Sequence, residues 1–332
     1  MTMTQNANFK RRVRARAAKT GESYTAALRH FYRRPPDDPA PETRSMRLAV
    51  AQSTVHDDPR DIGALRDSGL EMRCLMREAR QAGARLLHFP EGATCSPNKR
   101  IMSASGRETI GPADWSRFEW AVLRDELEAT RMLARELGLW TVFGSVHRLS
   151  QPRRPHNSLY VVSDRGKLVT RYDERMLSNT KISFMYTPGS MPVTFEVDGL
   201  RFGCTLGMEA HFSEIFIDYE RLDVDCVLFS TITAADGPVF AVEMQGHAAS
   251  NNYWASFSIP AQHSLTAPSG IVAPGGRWAA QCPADGTPAI AVVNIDNNPG
   301  DPARPWRRTA RTGIYQPHLV EDDQRSNDRG VF

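Results

Sequence analysis

Residues 201–214 read RFGCTLGMEAHFSE. The run starts as a strand, with Phe202, Cys204 and Leu206 on one face, and turns at Gly207 into a segment holding Glu209, His211 and Glu214. A strand that breaks at a glycine into a helix-forming segment is a common way to present a nucleophile at the edge of a sheet. Gly207 has no side chain to present, so the meaning of the turn depends on which other segments meet it.

The 332 residues suffice for one large or two modest domains with a self-sufficient core. Charge is uneven along the chain. Residues 1–34 carry nine Lys and Arg and one Glu, a net +8 against +3 for the whole, which leaves −5 for the remainder. Residues 1–45 therefore read as a basic arm followed by a Pro-rich linker, PPDDPAPETRS, with a helix candidate at TGESYTAALRH. A main domain follows over 46–300, and 301–332 form a C-terminal tail.

No apolar run approaches a membrane span, and the basic N-terminus lacks the apolar stretch of a secretory signal, so the chain reads as soluble and cytoplasmic. Its five cysteines are scattered and without CxxC spacing, which argues against a disulfide framework and against a metal site. No cofactor motif is present. The basic arm could neutralise phosphates non-specifically, but no recognition fold for nucleic acid accompanies it.

From Met46 onward helical and strand-like segments alternate. RLAVAQ, ARLLHFPEG and LWTVFGSVHR read as strands; 62–82 and 115–137 read as long amphipathic helices. Two hairpins follow, turning at Asp164-Arg165-Gly166 and at Asp198-Gly199. After the opening stretch come a helix at FSEIFIDYERL, a strand at DCVLFST, a helix at FAVEMQGHAASNNYW, and strands at ASFSIPA, GIVAP and PAIAVVNID. Strands apolar on both sides need both sheet faces covered, which predicts a layered α/β architecture with mixed sheets.

Five ordered segments between residues 46 and 297 resemble the carbon–nitrogen hydrolases of the nitrilase superfamily: LLHFPEGATC, HNSLYVVSDRGKLVTRYDERML, RFGCTLGMEAHFSE, AASNNYW and SGIVAPGG. The resemblance implies a four-layer α-β-β-α sandwich and a homodimer or larger assembly. It puts the general-base glutamate on Glu91 and the nucleophile position on Gly207, where the family has cysteine. It puts Glu174 where the family has its catalytic lysine, and Lys181 where related sequences carry an acid. A lysine and a glutamate have exchanged places.

The chemistry implied by the resemblance needs a base, a thiolate, an ammonium and a backbone N–H at the developing oxyanion. Gly207 removes the thiolate and should leave a small void at the pocket floor. Glu91, Glu174 and Lys181 can still form a desolvated acid–base cluster beside it; the alternative is that Glu174 and Lys181 are drifted surface charges. Tyr186, Met208, Glu209 and His211 are the candidate substrate contacts, with core packing the rival for Tyr186 and a hydrogen-bonding role within the turn the rival for Glu209. Cys204 reads chiefly as a small buried hydrophobe, and Cys95, in the loop after Glu91, as the better-exposed thiol with nothing but Lys99 to activate it.

Three functions stay open on these residues. One is a divergent enzyme acting on a small amide, nitrile or related nitrogen compound by acid–base chemistry without a thiol. Another is an inactive relative that binds a ligand or partner. The last is a nucleic-acid-binding scaffold working through the basic arm.

Overall fold

The computed structural model describes residues 13–15, 17–18, 43–233, 237–298, 303–320, 322–328 and 330. The chain divides into two compact units, Met1–Glu42 and Thr43–Phe332. In the first, the described residues are helical; the helix expected at TGESYTAALRH lies outside the described residues, as does the Pro-rich linker up to residue 42.

The second unit holds two six-stranded sheets. One has the order β12-β1-β2-β3-β4-β5, from strands β1 (Ser45–Gln52), β2 (Leu86–His88), β3 (Trp140–His147), β4 (His156–Val162), β5 (Leu168–Asp173) and β12 (Ala289–Asp296). The other has the order β11-β10-β9-β8-β7-β6, from β6 (Thr194–Val197), β7 (Leu200–Leu206), β8 (Cys226–Ser230), β9 (Trp254–Ser258), β10 (Gly270–Val272) and β11 (Trp278–Gln281). Each sheet mixes parallel and antiparallel pairs: β1 runs parallel to β2 and antiparallel to β12, while β7 runs parallel to β8 and antiparallel to β6.

Strand alternation sorts the apolar side chains into three layers of core. Leu48, Val50, Leu159, Val161, Phe202, Cys204, Leu206 and Leu228 fill the space between the sheets. Their neighbours Ala49, Ala51, Tyr160 and Val162 face outward onto helices α1 (Ile62–Gln81) and α3 (Trp120–Leu137). On the other side Val227, Phe229 and Phe257 meet α4 (Ser213–Arg221) and α5 (Val239–Asn251). The result is the expected α-β-β-α sandwich. Asp61 caps α1 by accepting from Ala64 N at 3.0 Å, and Gly138 ends α3 in the left-handed region.

Some boundaries differ from the sequence pattern. The helix expected over 115–137 is a short 3-10 turn at Trp115–Arg117 and then α3, because Phe118 takes extended backbone to pack in an aromatic cluster with Trp115 and Trp120. Helix α5 ends at Asn251, whose successor Asn252 is left-handed, so Trp254 opens a strand. Strand β11 and a helical turn at Lys181–Met185 carry weak periodicity and escape the pattern. Within the expected C-terminal tail, residues 303–311 form a helix, α6, whose Arg304 reaches Asp225 at 2.7 Å and whose Arg311 pairs with Glu220.

One polar contact ties the sheets together next to the site. His88, fully buried on β2, hydrogen-bonds Ser256 at 2.9 Å and Ser230 at 2.7 Å on the opposite sheet. Burial pushes its pKa down to about 3, so the ring is neutral. Ser230 in turn donates to the carbonyl of Phe89 at 2.9 Å, anchoring the loop that carries Glu91.

Candidate active site

Glu91 follows β2 in a loop that folds back over β3. Gly144 makes this approach feasible: a Cβ there would lie 2.4 Å from Gly92 N and 2.7 Å from the Glu91 Cα. The Gly144 N–H donates to the Pro90 carbonyl at 3.2 Å and fixes the loop on the strand. Glu174 follows β5, its N–H bonded to the Asn157 carbonyl at 2.9 Å. Lys181 opens the helical turn Lys181–Met185, and the Tyr186 N–H closes that turn onto the Lys181 carbonyl at 2.9 Å.

These three elements bring Glu91, Glu174 and Lys181 together. The ammonium of Lys181 donates to Glu91 Oε1 at 2.6 Å and to Glu174 Oε2 at 2.7 Å. Glu91 is 3% exposed and Glu174 0%, so the alternative of drifted surface charges is excluded by burial. A fourth residue completes the cluster. Asn157 Nδ2 donates to the same two oxygens, at 2.9 Å to Glu91 Oε1 and 2.6 Å to Glu174 Oε2.

The remaining oxygens, Glu91 Oε2 and Glu174 Oε1, are buried and accept no hydrogen bond. Both face Gly207. A Cβ built on Gly207 would lie 3.0 Å from Glu174 Oε1, 3.3 Å from Glu91 Oε2 and 3.3 Å from Lys181 Nζ. The void expected in place of a missing side chain is therefore lined closely by charged atoms. Gly207 also sits at φ +52, in the left-handed region that costs a side-chain-bearing residue about 1–2 kcal/mol.

Burial dominates the ionisation of the cluster and its neighbours. Desolvation pushes Glu174 up to about 8; Lys181 opposes this, and the Glu91 charge adds to it. Lys181 is pulled down by burial, yet the two carboxylates outweigh that and hold its pKa above the usual lysine range. Burial thus favours the protonated form of Glu174, while the two carboxyl groups favour the charged form of Lys181.

The remaining candidates divide. Tyr186 is buried, its ring 5.4 Å from that of Trp115, in a cluster with Phe118, Met185 and Cys95. Burial, with the nearby carboxylate charges, pushes its hydroxyl up. Met208 is half-buried in the 3-10 turn after β7. His211 is exposed and pairs with Glu243 of α5 at 2.7 Å, so its ring is held toward that helix. Glu209 is corrected from substrate contact to structural clamp. Its oxygens lie 2.6 and 2.7 Å from the Tyr172 hydroxyl and accept from the N–H groups of Arg175 (2.7 Å), Met176 (3.2 Å) and Leu206 (2.8 Å). It locks the elbow to the segment that follows Glu174.

No thiol replaces the missing one. Cys95 and Cys204 are buried, and desolvation drives both thiols upward, away from the reactive thiolate. Among the described residues no cluster of His, Cys, Asp or Glu could hold a metal ion, and no helix is long and apolar enough to cross a membrane.

A cavity of about 480 Å³ is lined among others by Val55, Asp57, Ser96, Lys99, Arg100 and His263, and by no residue of the cluster. Its Lys99 lies within electrostatic reach of the cluster: its pKa is lowered by burial and by the charge of Lys181, with Glu91 and Glu174 opposing.

A double sheet sandwich with a carboxylate–ammonium cluster at a strand-to-helix elbow is the framework of an enzyme class that acts on carbon–nitrogen bonds. The carbon-nitrogen hydrolase model matches residues 63–304, and the chain belongs to that family. No curated protein matches it. Among solved structures it is similar to an amidase of the nitrilase superfamily from Nesterenkonia AN1 in a cysteine-to-alanine variant, with a TM-score of 0.63 at 16% identity over 82% of this chain and 99% of that one. The amidase from Nesterenkonia sp. gives 0.63 at 16% over 80% and 96%. A variant of the Nesterenkonia sp. AN1 amidase, with the acetamide moiety of fluoroacetamide added covalently at its active site cysteine, gives 0.63 at 15% over 81% and 98%. At these identities the likeness is one of fold.

Asn157 was not among the residues picked out from the sequence. A signal existed: it shares a strand face with Leu159 and Val161, where an unpaired amide would be costly.

Proposed function

We propose that this protein acts on a small amide, nitrile or related nitrogen compound by acid–base chemistry, with no covalent enzyme intermediate. The observation that carries this reading is the pair of buried, unpartnered carboxylate oxygens, Glu91 Oε2 and Glu174 Oε1, converging where Gly207 withholds a side chain. Buried polar atoms are nearly always satisfied, and an exception of this kind fits a ligand.

In this reading Glu91 accepts a proton from the attacking water and Glu174, whose protonated form burial favours, gives one to the departing nitrogen. Lys181 keeps the two carboxyl groups in one site and offsets their charge. With an amide, one water adds to the carbon, the C–N bond breaks, and the products are an acid and ammonia or an amine; a nitrile takes up one water to give the amide and a second to give the acid and ammonia.

The test is ammonia release from a panel of short amides and nitriles, followed together with intact mass. Turnover that disappears in Glu91→Gln and never shows a mass adduct supports the proposal. A covalent adduct during turnover overturns it. One observation favours a second reading, a ligand-binding protein without turnover: the Lys181 ammonium is held by both carboxylates, which leaves less of its field for an oxyanion. Saturable binding with no ammonia from any ligand would decide for that second reading.

A further inference from the structure

Two carboxylates and one ammonium make a site whose formal charge is −1 when both acids are ionised. Asn157 adds donors only to oxygens that Lys181 already occupies. The unmatched charge is therefore on the side that faces Gly207, where both free oxygens are more than nine-tenths buried. A neutral amide offers this pair N–H groups but no charge. A protonated nitrogen group offers both, and charge-assisted hydrogen bonds are about twice as strong as neutral ones.

We infer that the ligand of this site is a small organic monocation with at least two N–H donors, of the amidinium, guanidinium or primary ammonium type, bound between Glu91 Oε2 and Glu174 Oε1. The inference rests on the reading that a small nitrogen compound occupies the cluster, and it adds the charge of that compound. Its N–H groups satisfy the two orphan oxygens, and its charge brings the cluster to neutrality. Gly207 is required because a Cβ would sit about 3 Å from both oxygens, in the space the donor needs.

Binding is then linked to protons. The groups around Glu174 are Lys181, Glu91 and Glu209, with Lys181 favouring its ionised form and the two glutamates opposing it. An arriving cation also favours the ionised form, so it takes the place of the Glu174 proton, brings its own proton in on the nitrogen that would depart, and binds more tightly as pH rises toward 8. Lys99, at the cavity, repels the cation and weakens it.

Acetamidinium and acetamide differ in charge but scarcely in size, and both can be titrated into the full chain by calorimetry. Acetamidinium should bind at least tenfold more tightly than acetamide at pH 7, release up to one proton, and gain affinity between pH 6 and 8. Acetamide affinity should stay flat over that range. Glu174→Gln should remove the preference for the cation, and Lys99→Met should strengthen cation binding. Equal or reversed affinities for the two probes overturn the inference and leave the acid–base reading standing. Binding of neither probe, as when the two carboxyl groups share a proton and admit nothing, overturns both.

Discussion

Glu174 and Glu209 are both fully buried glutamates, and each lies beside the same elbow. Glu209 spends all its acceptor capacity on the protein, taking backbone N–H groups from Leu206, Arg175 and Met176 and the Tyr172 hydroxyl. Glu174 takes Lys181 and Asn157 on one oxygen and leaves the other bare. The contrast separates architecture from chemistry better than burial alone. A carboxylate saturated by fixed donors holds the fold, whereas one that is buried and half-satisfied is held ready for something that is not part of the chain.

The comparison is broken most directly at Glu209. Glu209→Ala leaves three backbone N–H groups and a phenol unsatisfied in a dry interior, and at about 1–3 kcal/mol for each lost partner the total should approach 5 kcal/mol. Urea unfolding measures it. A loss below about 1 kcal/mol would mean that water replaces the carboxylate and that Glu209 is no clamp.

Next in size is Lys181→Met. Removing the ammonium strands two carboxyl groups together, and breaking such a buried pair costs about 3–5 kcal/mol. The lower end is expected because Glu174 can keep its proton. The loss should therefore shrink on going from pH 8 to pH 5. If it is the same at both, the two carboxyl groups do not share one electrostatic site.

Glu174→Gln should sharpen the contrast through pH. The folded pKa of Glu174, about 8, is above its ordinary value near 4.5, so between these values the folded state holds a proton that the unfolded state has lost. Its contribution is present in full below pH 4.5 and is lost as pH rises to 8, at no more than about 1.4 kcal/mol per unit. The Gln variant should lack that slope, and its advantage over the parent should grow toward pH 8. A parallel pH profile for the two proteins contradicts the raised pKa.

The double sheet was legible because alternation puts apolar residues on both faces of strands such as β4 and β8, which only a covered sheet tolerates. The meeting of Glu91, Glu174 and Lys181 was legible too, because the resemblance set all three at one site. Three features were not legible. Asn157 stood out at most as a costly polar residue on an apolar strand face, and nothing in the sequence tied it to the two glutamates. The saturation of Glu209 depends on backbone N–H groups, which leave no mark in side-chain identity. The crowding at Gly207 comes from Glu174, Glu91 and Lys181 together, where the sequence suggested an empty floor.

That crowding shapes the smallest effect, a gain of reactivity. Gly207→Cys places a thiol beside Glu91, Glu174 and Lys181, with Lys181 Nζ 3.3 Å from the new Cβ. The ammonium therefore already stands at the elbow, although it arrives from another position in the chain. Two facing carboxyl groups oppose it by raising the thiol pKa, and left-handed backbone adds about 1–2 kcal/mol of strain. The single variant should form little adduct with fluoroacetamide. Above pH 8, where Glu174 is ionised, adding Glu174→Gln removes one of the two charges and keeps Glu91 as base, so the double variant should label faster by about tenfold, the ratio that about 1.4 kcal/mol produces. Intact mass resolves the two. If Gly207→Cys alone reacts as fast as the pair, Glu174 exerts no field at the elbow.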